Sequence, residues 1–199
     1  MTTLHFQTNS RLLIYGLEMN NILAKPIEES EFSDIPRLFK YMVDVMQKAE
    51  GIGLAAPQIG CFKQFALITK RDRSVVGLVN PEITRLYGKE IEASEGCLSL
   101  PPPGNECMVP RLETVDVEAS LAETPNVRRA FTFHGSMARI VQHEVDHLTG
   151  TFFVDRVSER RKEEVLQRFR NWKIMRRAQI RRTEEDGHVN TRPFAVGRG

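Results

Sequence analysis

Apolar residues recur at helical spacing in the stretch that follows Ser33. The period of 3.6 residues places one set on a single face of a predicted amphipathic helix: Ile35, Leu38, Met42, Val45 and Met46. Ser33 is the expected N-cap, Pro36 lies in the first turn, and Gly51 or Gly53 is expected to end the helix. The pattern therefore predicts a helix near the start of the chain.

Two more helices are predicted in the second half of the chain. The first begins at Ser136 as N-cap and ends at Gly150 in the left-handed conformation. Its apolar positions are Met137, Ile140, Val141, Val145 and Leu148. The last helix is predicted over 158–182, with a packing stripe of Val165, Leu166, Phe169 and Trp172.

Between the first two helices the pattern changes to short strands. "QFALITK" and "SVVGLVNPEI" are apolar runs bounded by turn residues, and "ETVDVEA" and "RAFTFHG" alternate apolar and polar positions. "SLPPPGNECMVP" is rich in proline and glycine and predicts a constrained surface loop. Helix, strands, helix and helix predict an α+β domain over 1–182, and the polar residues 183–199 are expected to form a flexible tail.

Composition narrows the class of protein. The chain has 199 residues, of which 41% are apolar and 27% are charged, as in ordinary globular proteins. No apolar run reaches the roughly 18 residues of a membrane span, and no secretory signal is read at the N-terminus. Three sparse cysteines, Cys61, Cys97 and Cys107, fit a reducing cytosol, so we expect a cytoplasmic protein; packing is their default role.

Charge is distributed unevenly along the chain. The net charge is +2, yet residues 158–182 hold ten Lys/Arg against three Asp/Glu. This basic segment is either a solvated helix or a surface for an RNA-rich partner, with Arg176, Arg177, Arg181 and Arg182 as contacts. Nothing predicts sequence-specific DNA binding.

The stretch "QHEVDHL" carries the clearest chemistry. His143 and His147 are four residues apart, so one helix face can direct both rings at a single metal ion. Glu144 is rotated about 100° from His143, which suits a base beside the ion better than a ligand. Two histidines on an ordinary helix are the alternative, but the apolar neighbours indicate a buried face.

The residues alone do not decide which side chain is the third metal ligand. A thermolysin-like protease takes a downstream glutamate, and here Glu159, Glu163 and Glu164 lie in a basic segment. A metzincin continues to a third histidine, which "TGTFFVDR" lacks. Cys97, in the turn-prone "EGCLSLPPP", is the better candidate, although a plain packing role for it stays open.

Three motifs together resemble the peptide deformylases of the bacterial type. The family patterns GxGxAAxQ, EGCxS and QHExDH appear here as "GIGLAAPQ" at 51–58, "EGCLS" at 95–99 and "QHEVDH" at 142–147. The resemblance spans roughly 11–180 and includes a strand expected at "TFFVDRV". It implies mixed or antiparallel β-sheets around a central HExxH helix, with an N-terminal and a C-terminal helix.

Residue roles follow from this resemblance position by position. It implies that Cys97, His143 and His147 bind one metal ion, with Glu144 as general acid/base. Gln58, through its side-chain amide, and Leu98, through its backbone N–H, would stabilise the oxyanion, while Gly53 would contact the substrate backbone. Glu95 is expected to orient a ligand or to pair with Arg111.

The implied activity is removal of the formyl group from formyl-methionine at the start of nascent peptides. The implied ion is Fe²⁺, with Ni²⁺, Co²⁺ and Zn²⁺ as substitutes, and the ribosome is a further partner for the basic helix. The loop at 101–110 is longer and richer in proline than the family pattern. Two other hypotheses remain open: a catalytically silent relative that binds metal or ribosome, and an HExxH metalloprotease.

Overall fold

One antiparallel sheet and three helices make up the architecture. The computed structural model describes Leu4, Leu12 and residues 23–100 and 106–185. At residues 177 and 179–185 it describes the backbone only. The strands are β1 (Gly53–Ala55), β2 (Phe65–Thr69), β3 (Val75–Glu95), β4 (Cys107–Leu121) and β5 (Thr124–His134). The helices are α1 (Ile35–Lys48), α2 (Gly135–Leu148) and α3 (Glu159–Glu185). The α+β class is confirmed.

The sheet is built from neighbours in sequence, in the order β1-β2-β3-β4-β5. All four pairings are antiparallel, and the long β3–β4 ladder runs from Leu78 opposite Leu121 to Glu95 opposite Cys107. Three register shifts interrupt that ladder. The pairing brings the end of β3, and the turn that follows it, to the side of the sheet where α2 packs.

The first helix packs as its apolar period requires, but its ends differ from the prediction. Four of its five predicted core positions are buried, and Val45 is half-buried. Ser33 is not the N-cap, because a short 3-10 turn, Glu29–Asp34, precedes the helix and makes Asp34 its N-cap. The helix ends at Lys48, before either glycine, and Glu50 adopts the left-handed conformation with φ of 54°.

Helix α2, which carries the "QHEVDH" motif, packs on the sheet. It packs against β4, β5, β1 and β2, so its central position is confirmed. Ser136 is not its N-cap: the N-cap is His134, two residues earlier, and no side-chain hydrogen bond caps the helix. Gly150 does adopt the left-handed conformation, with φ of 72°, as predicted.

Three further predictions, all for the second half of the chain, differ from the structure. "TFFVDRV" is not a strand, because Phe153–Arg156 form a 3-10 turn whose Phe153 and Val154 are buried. The predicted loop ends early, because β4 begins at Cys107, and 101–105 lie outside the described residues. Helix α3 continues to Glu185, so the tail does not begin at 183.

The hydrophobic core has two main clusters. One cluster packs α1 against β1 and β2, and another packs α2 against β2, β3 and β4. A smaller cluster joins Cys97, Val109, Phe152, Phe153 and Val165. Because this last cluster contains Cys97, the turn after β3 is held against the start of α3. No helix in the described part of the chain is long and apolar enough to cross a membrane.

Candidate metal centre

Helix α2 brings the two histidines of its motif together. His143 and His147 lie one turn apart, and their Nε2 atoms are 3.2 Å from each other. His147 is buried, and the side chain of His143 is 11% exposed. Both rings therefore face the protein interior, which excludes the alternative of two surface histidines.

Cys97 reaches the same point from the turn after β3. Its Sγ is 3.3 Å from His147 Nε2, and one ligand atom from each of Cys97, His143 and His147 lies within 4.8 Å of the others. A tetrahedral ion with metal–nitrogen bonds of about 2.1 Å and a metal–sulfur bond of about 2.3 Å needs ligand atoms about 3.4–3.6 Å apart. The donor set and its spacing fit one divalent ion.

A tight turn presents the sulfur and the backbone of Leu98. The N–H of Leu100 donates to the carbonyl of Cys97 at 2.8 Å, which closes the turn. The N–H of Ser99 lies 3.4 Å from Cys97 Sγ. A cysteine binds a metal ion as the thiolate, and this N–H is placed to donate a hydrogen bond to the sulfur.

Gln58 joins the site from the 3-10 turn Ala56–Ile59. The N–H of Ala55 donates to Gln58 Oε1 at 2.8 Å, which fixes the orientation of the amide. Its Nε2 therefore points to the ligand turn, 3.2 Å from Ser99 Oγ and 3.6 Å from Cys97 Sγ. The amide N–H₂ is held as a donor beside the candidate ion.

Glu144 lies beside the ligands with its carboxyl group buried. Its Oε2 has no hydrogen-bond partner among the described residues. Burial raises the pKa of Glu144 to about 7, although the nearby His143 and Arg111 act to lower it. A carboxyl group with a pKa in that range can both accept and donate a proton near neutral pH.

A buried ionic network orients His143 from behind. Its Nδ1 lies 3.1 Å from Glu95 Oε2, so Nε2 faces the other ligand atoms. Arg111 donates to both Glu95 oxygens, at 2.8 and 2.9 Å, as expected from the sequence. Burial alone would raise the pKa of Glu95, but hydrogen bonds from Arg111 and His143 lower it to about 2.

Sequence reasoning missed three members of this network. Arg139 donates to Glu95 Oε1 and to the carbonyls of Ile91 and Val109. Asp146 accepts from Arg111 at 2.7 Å and from Arg156. One signal was available: Arg139 precedes His143 by four residues and therefore lies on the same face of α2.

Fold and site together point to the class of metal-dependent hydrolases with an HExxH helix, with Cys97, His143 and His147 as a possible metal site. Comparisons with known proteins narrow this class. A family profile described as "Polypeptide deformylase" matches residues 11–163. A peptide deformylase of Thermodesulfovibrio yellowstonii is 37% identical over 160 residues, which cover 77% of this chain and 94% of that protein.

Solved structures agree. The crystal structure of a peptide deformylase from Thermus thermophilus is similar with a TM-score of 0.72 and 38% identity, covering 80% of this chain and 92% of that one. A peptide deformylase from Synechococcus elongatus in complex with actinonin has a TM-score of 0.72 and 34% identity, covering 81% and 86%. The chain belongs to the peptide deformylase family, whose members are hydrolases that remove the formyl group from N-terminal formyl-methionine.

Proposed function

We propose that this chain deformylates nascent polypeptides at a single divalent ion held by Cys97, His143 and His147, with Glu144 as general acid/base. The supporting observation is the convergence of one sulfur and two imidazole nitrogens beside a buried carboxyl group. When bound, the ion lowers the pKa of a water molecule and polarises the formyl oxygen. The third ligand comes from a turn upstream, which argues against the thermolysin-like arrangement.

Glu144 moves the proton. Its carboxylate takes a proton from the attacking water and later gives one to the leaving amine. The pKa of about 7 suits both transfers, because neither protonation state is strongly favoured at neutral pH. Exclusion of water from this buried group also strengthens its interaction with charge that develops nearby.

Two donors are proposed for the negative oxygen of the tetrahedral intermediate. The Nε2 of Gln58 is held toward the ligand turn, and the N–H of Leu98 belongs to the turn that carries the sulfur. Both groups are fixed before reaction, so they cost no reorganisation. A single donor of this kind is typically worth about 3 kcal/mol.

The proposed native ion is Fe²⁺, with Ni²⁺, Co²⁺ and Zn²⁺ as substitutes. A thiolate is a soft ligand and adds negative charge that a third imidazole would not. Gly53 is proposed to contact the backbone of the substrate peptide. It lies in β1, an edge strand of the sheet, and an extended peptide can pair with such an edge.

The test is formate release from formyl-Met-Ala-Ser by protein prepared without oxygen. Glu144→Ala should lower kcat by about 10²–10⁴-fold, the usual share of a general acid/base, while metal content stays the same. Full activity in this variant contradicts the general-base assignment. Absence of formate release from the metal-loaded wild-type chain would favour the catalytically silent alternative.

We also propose that α3 contacts the ribosome. The enzyme is then cytoplasmic and acts on nascent polypeptides as they leave the ribosome. In the first half of α3, Val165 belongs to a buried cluster with Val109 of β4, and Phe169 is also buried, whereas Ile174 and Met175 are exposed. Of the four arginines expected as contacts, Arg176 alone has a described side chain. Affinity should fall steeply with salt and after truncation beyond Asn171; binding that responds to neither change contradicts the proposal.

A further inference from the structure

Gly53 lies directly against the carboxyl group of Glu144. A Cβ placed on Gly53 would overlap Glu144 Oε1 and would lie 2.8 Å from Cδ and 3.0 Å from Cγ. Contacts below 3.0 Å are essentially never made by real Cβ atoms. A side chain at position 53 and the present position of the Glu144 carboxyl group therefore exclude each other.

The backbone at Gly53 does not require glycine. Its φ is outside the left-handed region, and it pairs with Ile68 in the regular β1–β2 ladder. Any L-residue can adopt this extended conformation. What position 53 requires is the absence of a side chain, because the space is taken by Glu144.

Steric packing, more than hydrogen bonding, restrains the Glu144 side chain. It is 5% exposed, and β1 packs against α2 where the two residues meet. Its Oε2 has no hydrogen-bond partner within the described part of the chain. Packing against a flat stretch of β1 backbone is thus what the structure offers to fix the carboxyl group.

We propose that Gly53 is a positioning residue for Glu144, in addition to its proposed contact with substrate. This inference rests on the proposed function of Glu144. Gly53→Ala keeps the backbone groups that meet the peptide but pushes the carboxyl group from its place. Since a displacement of about 1 Å can cost about 10²-fold, kcat for formate release should fall by about 10–100-fold, with KM changing less than about threefold.

A stability cycle tests the contact independently of activity. Wild type, Gly53→Ala, Glu144→Ala and the double variant are unfolded in urea as full-length, Ni²⁺-loaded proteins. In the protein that retains Glu144, Gly53→Ala should raise the unfolding equilibrium constant at least about tenfold. It should raise the constant less than about threefold in the Glu144→Ala background, because the clashing carboxyl group is gone. If Gly53→Ala fails to fold and the double variant folds, the inference is also supported.

Gly77→Ala is the matched control. It also adds a methyl group to a buried strand position, where a Cβ would lie 2.8 Å from Phe65 Cζ and 2.9 Å from Ala122 Cβ. Its cost should be the same with and without Glu144→Ala. The inference is overturned if Gly53→Ala raises the unfolding equilibrium constant equally in both backgrounds. It is also overturned if both Gly53 variants fail to fold, or if KM rises while kcat is unchanged. Active Glu144→Ala protein would instead refute the proposed function, while the stability cycle would still report the contact.

Discussion

Glu95 is the carboxylate that links the candidate metal centre to three buried or partly buried basic side chains. Its two oxygens accept from Arg111, Arg139 and His143. The side chain is 5% exposed, so each of these bonds is made away from bulk water. Such a carboxylate fixes the ring orientation of the histidine and makes its other nitrogen a better ligand.

Glu95→Gln should therefore weaken metal retention. The amide has the same shape, but its N–H₂ must face the donors of an arginine or the ring of His143, and the negative charge is lost. We expect metal affinity to fall by about 10–100-fold, measured as bound metal after dialysis against a graded chelator. Glu92→Gln, on the same strand but exposed and paired with Arg161, should retain metal normally; unchanged retention in Glu95→Gln contradicts this role.

At the residue scale, the sequence predicts the residues of the candidate site better than the residues that hold them in position. Cys97, His143, Glu144 and Gln58 lie in short motifs, because the chemistry fixes their types and spacing, and the structure brings them together. No short motif assigned a role to Arg139 or Asp146. Their partners come from β3, β4 and the turn after α2, so only the tertiary arrangement reveals them.

At the scale of elements, the end of α2 is set by one glycine. The N–H of Thr151 donates to the carbonyl of Asp146 at 2.9 Å, and the N–H of Gly150 donates to that of His147. This pattern needs the left-handed conformation at Gly150, which has φ of 72°. The helix thus ends at Leu148, one residue after His147.

Gly150→Ala should destabilise the protein by about 1 kcal/mol, because an alanine pays the cost of positive φ. Urea unfolding measures the loss. Gly150→Asn is the control: asparagine tolerates this conformation and should lose less. Equal losses in the two variants would show that the left-handed conformation is not the cause.

The helix boundaries were harder to predict than the buried helix faces. Ser33 and Ser136 are good N-cap types, yet α1 starts after a 3-10 turn and α2 starts directly after β5. Local preference for a cap is worth only about 1 kcal/mol, so the packing of neighbouring elements decides the boundary. Helical periodicity was reliable because burial of a whole face involves far more free energy.

At the scale of the whole molecule, the site depends on strand register. The β3–β4 ladder places Glu95 beside the start of β4 and carries Cys97 to α2. Periodicity predicted strands in both places but could not predict a 21-residue β3 or its three register shifts. Register follows from contacts distant in sequence, which a pattern of apolar and polar residues does not specify.

The segment before α1 is also tied to the sheet by a distant contact. Lys63 donates to Glu31 Oε2 at 2.6 Å, and the N–H of Glu28 donates to the same oxygen at 2.9 Å. The Glu31 side chain is 4% exposed. Burial raises the pKa of Glu31, but the bonds from Lys63 and Glu28 outweigh it and lower the pKa below its ordinary value of 4.5.

This tie should make part of the stability dependent on pH. A lowered pKa means that the folded state favours the carboxylate, so the contribution is fully present above the ordinary pKa and is lost as pH falls through the folded value. Glu31→Gln should cost about 1–3 kcal/mol at pH 7, and its difference from wild type should shrink below about pH 4.5. Urea unfolding across this range measures it, with Glu29→Gln, exposed in the same turn, as the control. A difference that persists undiminished at low pH would show that the charge of Glu31 contributes nothing.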